Sequence, residues 1–269
     1  MITNFTIGYR GRLGNQMFQV ASLLAIGDHN KYEVFLPIEN FRNDNPMGYN
    51  NGSQLADCFK IDEKYFLHSS VIGKNIEYEY REPHFHFTEE VFNLPDNINI
   101  TGYYQSENYF KGCSEKIRDF FVFKDWIEEE ASNIFLEKNI DEESVCVHVR
   151  RGDYIQQSAN HPALGKEYYN DAFRRFEGKN KVIFSDDFEW CTEEFKGLND
   201  TIVINLEHPY VSLCLMSKFK KFVIANSSFS WWAAWLSKDK SSVIAPKNWF
   251  GPSLPHNTKD LYPLEWQII

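Results

Sequence analysis

Apolar and polar positions follow the clearest pattern in the second half of the chain. Val145–Val149 (VCVHV) is a short apolar run rich in β-branched residues, which predicts a buried strand. Lys166–Gly178 (KEYYNDAFRRFEG) carries its apolar residues at helical spacing and stops at a glycine. Lys181–Ser185 (KVIFS) predicts a second strand. Asp186–Gly197 (DDFEWCTEEFKG) opens on acids and closes on Lys-Gly, which suits a helix and its dipole. Thr201–Asn205, Lys221–Asn226 and Ser242–Pro246 continue the strands, with helices over Tyr210–Phe219 and Ser228–Ser237.

The first half opens the same way, with a strand over Thr3–Tyr9, an apolar helix over Gly14–His29 and a strand over Tyr32–Pro37. Residues 40–100 show no regular pattern, and Ile127–Lys138 predicts a helix leading into the second half. Strands alternating with helices imply α/β domains built on parallel sheets with both faces covered. The expected division is residues 1–140 and 141–269, two α/β domains with a cleft between them. Ligands of such sheets sit beyond the carboxyl ends of the strands, which puts Arg150, Arg151, Ser185, Asp186, Asn226 and Ser227 on one rim.

Composition narrows the classes. Hydrophobic residues are 43% of the chain and aromatics 16%, so a large core is available. The 38 acidic residues exceed the 28 basic ones, which argues against a general nucleic-acid surface. An anionic ligand would have to be held by a few placed cations. Five scattered cysteines without C-x-x-C spacing point to buried thiols, not a disulfide framework or a zinc site. The start of the chain lacks the apolar run of a signal peptide, and no stretch supplies a membrane span of about 20 apolar residues. The expected location is cytoplasmic, where the sequons at Asn4 and Asn51 carry no meaning.

Arg150 and Arg151 directly follow a predicted buried strand and precede Gly152 and Asp153. A guanidinium is planar, permanently charged and fork-shaped, which suits bidentate binding of phosphate oxygens. Donors fixed on a departing diphosphate stabilise the transition state more than the ground state. Gly152 would permit a sharp turn or close approach, and Asp153 could orient an arginine. The bland alternative is a strand end whose arginines pair with nearby acids. At the N-terminus, Gly8–Gln16 places glycines at 8, 11 and 14, which is neither a dinucleotide nor a nucleoside-triphosphate fingerprint. A glycine turn opening a helix can still present N–H groups to an anion, with Asn15 and Gln16 adding amides. Trp231, Trp232 and Trp235 suit a core more than a sugar platform. One of Asp186 and Asp187 suits a helix cap, and Asp186 could instead recognise ribose or base. With no D-x-D motif, the arginines would do the work of a cation.

Six segments resemble the bacterial and animal α-1,2-fucosyltransferases, glycosyltransferase family eleven. They are Gly11–Gln19 (GRLGNQMFQ), Gly102–Phe110 (GYYQSENYF), His148–Tyr154 (HVRRGDY), Phe184–Cys191 (FSDDFEWC), Ala225–Leu236 (ANSSFSWWAAWL) and Ile244–Phe250 (IAPKNWF), in the family order. The resemblance, of the bacterial type, implies two Rossmann-like domains facing a cleft, the GT-B arrangement. Residues 1–140 would be the acceptor side and 141–269 the GDP-sugar side. It implies GDP-fucose as donor, no cofactor and no metal, and inverting transfer to the 2-hydroxyl of a galactose-type acceptor. That acceptor would be a free oligosaccharide or a lipid-linked glycan, the latter placing the enzyme peripherally at the inner membrane.

Carried over, Arg150 and Arg151 hold the diphosphate, with His148 and Asp153 beside them. Asn15, Gln16, Ser185, Asp186, Asn226, Ser227 and Ser228 are the other expected donor contacts. Gln105, Ser106 and Glu107 are the expected acceptor contacts. Arg150, Arg151 and Asp153 form the expected catalytic set, with Asp153 and Glu107 the candidates for taking the acceptor proton. A related transferase using another nucleotide sugar, a carbohydrate-binding protein and, more weakly, a dinucleotide-dependent oxidoreductase remain as alternatives.

Overall fold

The computed structural model describes residues 1–41, 53–206 and 208–269. The chain divides into two compact units, Met1–Lys124 with His256–Pro263, and Asp125–Pro255 with Leu264–Ile269.

The first unit contains β1 (Ile2–Thr3), α1 (Leu13–Asn30), β2 (Val34–Pro37), α2 (Leu55–Cys58), β3 (Phe66–Leu67), α3 (Ser69–Ile72), β4 (Tyr78–Arg81), β5 (Ile98–Thr101) and α4 (Ser114–Phe120). Its five strands lie in the order β3-β2-β1-β5-β4, every pair parallel. Buried α1 residues surround the helix axis, as an apolar run without a polar face requires. It ends at Lys31 in the left-handed region, where the N–H groups of Lys31 and Tyr32 return to Asp28 and Gly27.

The strand expected over Thr3–Tyr9 is only two residues long. The Asn4 side chain accepts the N–H of Thr6 at 2.8 Å and its hydroxyl at 2.7 Å, which turns the chain off the sheet. Asn4 itself is fully buried, and the sequon at Asn51 lies outside the described residues.

The second unit contains α5 (Asp125–Glu137), β6 (Val145–Val149), α6 (Lys166–Arg174), β7 (Lys181–Ser185), α7 (Phe188–Glu194), β8 (Thr201–Ile204), α8 (Pro209–Ser217), β9 (Lys221–Val223), α9 (Ser228–Leu236), β10 (Ser242–Ala245) and β11 (Gln267–Ile268). The sheet order is β11-β10-β9-β6-β7-β8, again parallel throughout. Val145, Val147 and Val149 pack with Tyr169, Phe173, Cys191 and Phe195 from α6 and the α7 region. Strand alternation turns Cys146 and His148 to the opposite face, where His148 meets Phe229 of α9 at 5.8 Å.

The chain passes to the second unit earlier than the expected residue 140. Helix α5 buries Ile127, Ala131 and Ile134. It is tied within the second unit by the Glu128–Lys218 ion pair and by Phe135 edge-on to Phe219 at 5.8 Å. No described cysteine forms a disulfide, and Cys58, Cys146, Cys191 and Cys214 are buried. Trp231, Trp232 and Trp235 are core residues, at most 2% exposed. No described helix is long and apolar enough to cross a membrane.

Candidate functional site

Parallel pairing of β6 with β7 and β9 brings the segments after these strands to one edge. Arg150 leaves the end of β6 with its side chain 18% exposed, and Arg151 with 17%. Arg150 Nη1 lies 2.8 Å from Asp186 Oδ2, and Nη2 pairs with Asp153. The other Asp186 oxygen accepts the Arg151 N–H at 2.9 Å. Arg151 Nε donates to Asp187 Oδ2 at 3.1 Å, and its guanidinium carbon sits 3.9 Å from the centre of the Trp190 ring. The arginines therefore pair with nearby acids, as the bland alternative holds, yet their guanidinium planes are fixed and mostly shielded from water. Arg150 is further flanked by Tyr154, whose ring centre lies 5.3 Å away.

Gly152 starts a short 3-10 turn, Gly152–Tyr154, and its value lies in what it lets approach. A Cβ here would stand 2.5 Å from Asp186 Oδ2. Asp187 caps α7, accepting the Trp190 N–H at 3.2 Å, so the capping role falls to it and Asp186 serves the arginines. Ser185 Oγ accepts the Asp187 N–H at 2.9 Å, an internal use of that hydroxyl.

His148 is 6% exposed, and burial together with the Arg150 charge holds its imidazole down to about 3, so it is neutral at pH 7. Its Nδ1 has no hydrogen-bond partner among the described residues. Asn226 donates to the carbonyls of Pro162 and Trp249 at 3.0 and 3.1 Å, while its buried Oδ1 has no such partner. The Tyr154 hydroxyl donates to the Asn226 carbonyl at 3.2 Å, tying the arginine turn to the strand β9 edge. Ser227 caps α9, and Ser228 is its first residue. The 155–165 connection, unremarked in the sequence, brings His161 into a stack on Tyr154 at 5.0 Å.

In the first unit the glycine loop is more closed than expected. The Leu13 N–H donates to Gln54 Oε1 at 2.8 Å, and those of Asn15 and Gln16 return to Arg12. The helix start is thus largely satisfied internally. Gln16 is fully buried; it donates to the Gly11 carbonyl at 3.2 Å and accepts from Ser53 Oγ and the Gln54 N–H at 3.1 and 3.0 Å. Its amide builds the loop, with both ends engaged inside the first unit.

Asn15 Oδ1 accepts from Gln105 Nε2 at 2.6 Å, which joins two of the expected site residues. Ser106 is fully buried and donates to the Asp260 carbonyl at 2.7 Å. Glu107 lies in the field of Arg118, and Asp153 is paired with Arg150. Sequence reasoning missed Glu82, directly after β4, whose carboxylate accepts the N–H groups of Tyr103 and Tyr104. The remaining signal for it in sequence is an acid at the end of a β-branched-poor, tyrosine-rich run, too weak to single it out. Among the described residues no group of three or more His, Cys, Asp or Glu side chains could hold a metal ion.

The family model described as Glycosyl transferase family 11 matches residues 1–269. An alpha-1,2-colitosyltransferase of Escherichia coli is 30% identical, with 96% of each chain covered. The galactoside 2-alpha-L-fucosyltransferase Sec1 of Mus musculus is 28% identical over 94% of this chain and 69% of the relative. Among solved structures, POFUT1 in complex with GDP-fucose aligns with a TM-score of 0.55 at 14% identity, covering 91% of this chain and 96% of that one. The fucosyltransferase NodZ from Bradyrhizobium aligns with a TM-score of 0.54 at 10% identity, covering 87% and 91%. At these identities the structural likeness shows the fold.

Proposed function

The chain belongs to glycosyltransferase family 11, and on that premise we propose that it moves L-fucose from GDP-fucose to the 2-hydroxyl of a galactose-type acceptor, with inversion at the sugar carbon. The observation that carries the reading is the guanidinium pair at the end of β6, with Arg150 and the Arg151 backbone both fixed by Asp186. As the bond to the sugar carbon breaks, negative charge gathers on the diphosphate. Cations already oriented toward it need no reorganisation at that moment. Diphosphate binding would compete with Asp153 and Asp187 for the guanidinium N–H groups, so these acids hold the forks until the ligand arrives. His148 stays neutral and adds no charge. The cleft between two domains expected from the resemblance, the donor role of Asn15 and the acceptor role of Gln105 belong to the same proposal, as do transfer without metal or cofactor, a free or lipid-linked galactoside acceptor and a place at the inner membrane.

A second reading keeps the reaction and changes the donor. The Escherichia coli relative is a colitosyltransferase, and colitose differs from fucose in lacking the hydroxyl on carbon 3. Incubating the protein with a galactoside panel and, in turn, GDP-fucose, GDP-colitose, GDP-mannose and UDP-galactose separates the two, with the product linkage mapped. Fucose on oxygen 2 of galactose supports the first reading, and preferential colitose transfer supports the second. Sugar affinity without nucleotide affinity would defeat both in favour of a carbohydrate-binding protein.

A further inference from the structure

Glu82 stands at the carboxyl end of β4, among Tyr80, Tyr104 and Tyr109. Its carboxylate accepts the N–H of Tyr103 at 2.7 Å and that of Tyr104 at 3.1 Å, and the Tyr109 hydroxyl also bonds to it. Two features show how closely the group grips the chain after β5. A Cβ on Gly102 would lie 2.5 Å from Glu82 Cβ and 2.6 Å from Oε2, so no side chain fits at 102. Tyr104, fully buried, has φ 52°, a left-handed conformation that bulky residues avoid. Such a residue persists where its surroundings over-determine it, and the Tyr104 N–H is one of those held by Glu82.

The gripped turn delivers Gln105. Its side chain is 6% exposed, and Nε2 is committed to Asn15 Oδ1 at 2.6 Å. Its Oε1 has no hydrogen-bond partner among the described residues. A buried acceptor without a donor is costly, and a sugar hydroxyl is a donor of the right kind. Glu82 itself is held at a cost, since burial pushes its carboxyl up to about 7.

We propose that Glu82 is a positioning residue for acceptor binding: by gripping the Tyr103–Tyr104 turn it fixes Gln105 so that the amide oxygen accepts a hydrogen bond from a hydroxyl of the acceptor sugar. The inference rests on the transferase reading above.

The test uses the full chain with Glu82→Ala, Glu82→Gln and Gln105→Leu. Donor KM, acceptor KM, GDP affinity and amide exchange at Tyr103 and Tyr104 are measured for each. Glu82→Ala should raise acceptor KM by roughly 2- to 12-fold, the range for a lost hydrogen bond between neutral groups. Donor KM and GDP affinity should stay within about twofold, and both amides should exchange faster. Glu82→Gln keeps an acceptor oxygen and should restore part of the loss. Gln105→Leu should match Glu82→Ala in acceptor KM, and the double variant should add little to either in that measure. An unchanged acceptor KM in a folded Glu82→Ala protein overturns the inference, as does a parallel rise in donor KM. If the wild-type chain transfers no sugar at all, the transferase reading has failed and this inference falls with it.

Discussion

Asp186 holds both arginines at once: Oδ2 is 2.8 Å from Arg150 Nη1, and Oδ1 accepts the Arg151 N–H at 2.9 Å. One carboxylate from the end of β7 thereby sets a side chain and a backbone at the end of β6. The guanidinium orientation is a property of the sheet edge and not of a loose loop.

Loss of Arg150 should be felt in turnover. Arg150→Ala is expected to lower kcat by about 10²–10³-fold, the scale of removing a strong oxyanion donor. Arg150→Lys should also fail, because a point charge cannot reproduce the fork held between Asp153 and Asp186. Steady-state kinetics with GDP-fucose checks both, and near-normal turnover in either would count against the arginine mechanism.

Gly152→Ala tests the close approach of Asp186. The added methyl would collide with Oδ2 at 2.5 Å and push the carboxylate off the arginines. Activity should fall more than tenfold by analogy with other mispositioned groups, about 1.4 kcal/mol or more. Gly178→Ala is the contrast: φ is 73° and nothing lies within 4 Å, so it should cost about 1–2 kcal/mol of stability and leave kcat alone. Denaturant melts paired with rate measurements distinguish the two.

Trp190→Ala removes the ring under Arg151, whose guanidinium carbon is 3.9 Å from the ring centre. A cation–π contact of about 0.5–2 kcal/mol predicts a donor KM roughly 2- to 30-fold higher, with Trp190→Phe between wild type and Ala. Equal donor KM in all three proteins would remove Trp190 from the site.

The buried His148 and the half-buried Glu82 should pull stability in opposite directions with pH. His148 is held at about 3, below its ordinary value of 6.5, so between those values the unfolded chain binds more protons. Its neutral burial is therefore fully tolerated above pH 6.5 and costs stability as pH falls toward 3. Glu82 is raised to about 7 from 4.5, so in that window the folded chain binds more protons and stability falls as pH rises. His84 on its own segment, Tyr80 on β4 and Tyr104 and Tyr109 after β5 are the groups whose fields it shares, and Glu90 acts on Tyr80. Thermal melts from pH 4.5 to 8 should show a smaller acid loss in His148→Asn and a smaller loss toward pH 7 in Glu82→Gln. Curves parallel to wild type would contradict these assignments.

On the proposed reading activity should survive EDTA, with the guanidinium pair supplying the charge that a divalent cation supplies in metal-dependent transferases. A loss on chelation that magnesium or manganese restores would show that the arginines do not suffice.

The sequence was legible where local pattern and tertiary burial agree. Val145–Val149 and Lys181–Ser185 match β6 and β7 because both are short apolar runs with buried positions nearly throughout. The rim residues Arg150, Arg151 and Asp186 followed from that placement. Strand β4 was not legible, since Tyr78–Arg81 is mostly exposed and carries no apolar alternation. Glu82 stayed hidden for the same reason: its partners Tyr103 and Tyr104 become neighbours only through β4–β5 pairing. The closure of the glycine loop was not legible because the Leu13 N–H is taken by Gln54, 41 positions away in the chain. No local signal announces such a partner.

The tail has a practical consequence for protein engineering. His256–Pro263 belongs with the first unit, while Leu264–Ile269 returns to the second, where β11 pairs with β10 and the Lys247 N–H reaches the Ile269 carbonyl at 2.8 Å. A chimera spliced once near residue 125 would leave the second unit of one parentage and give the first unit a foreign 256–263 segment. Hybrids between relatives need three junctions, near 124, 255 and 263, and a fragment stopped at 255 would expose a raw sheet edge along β10.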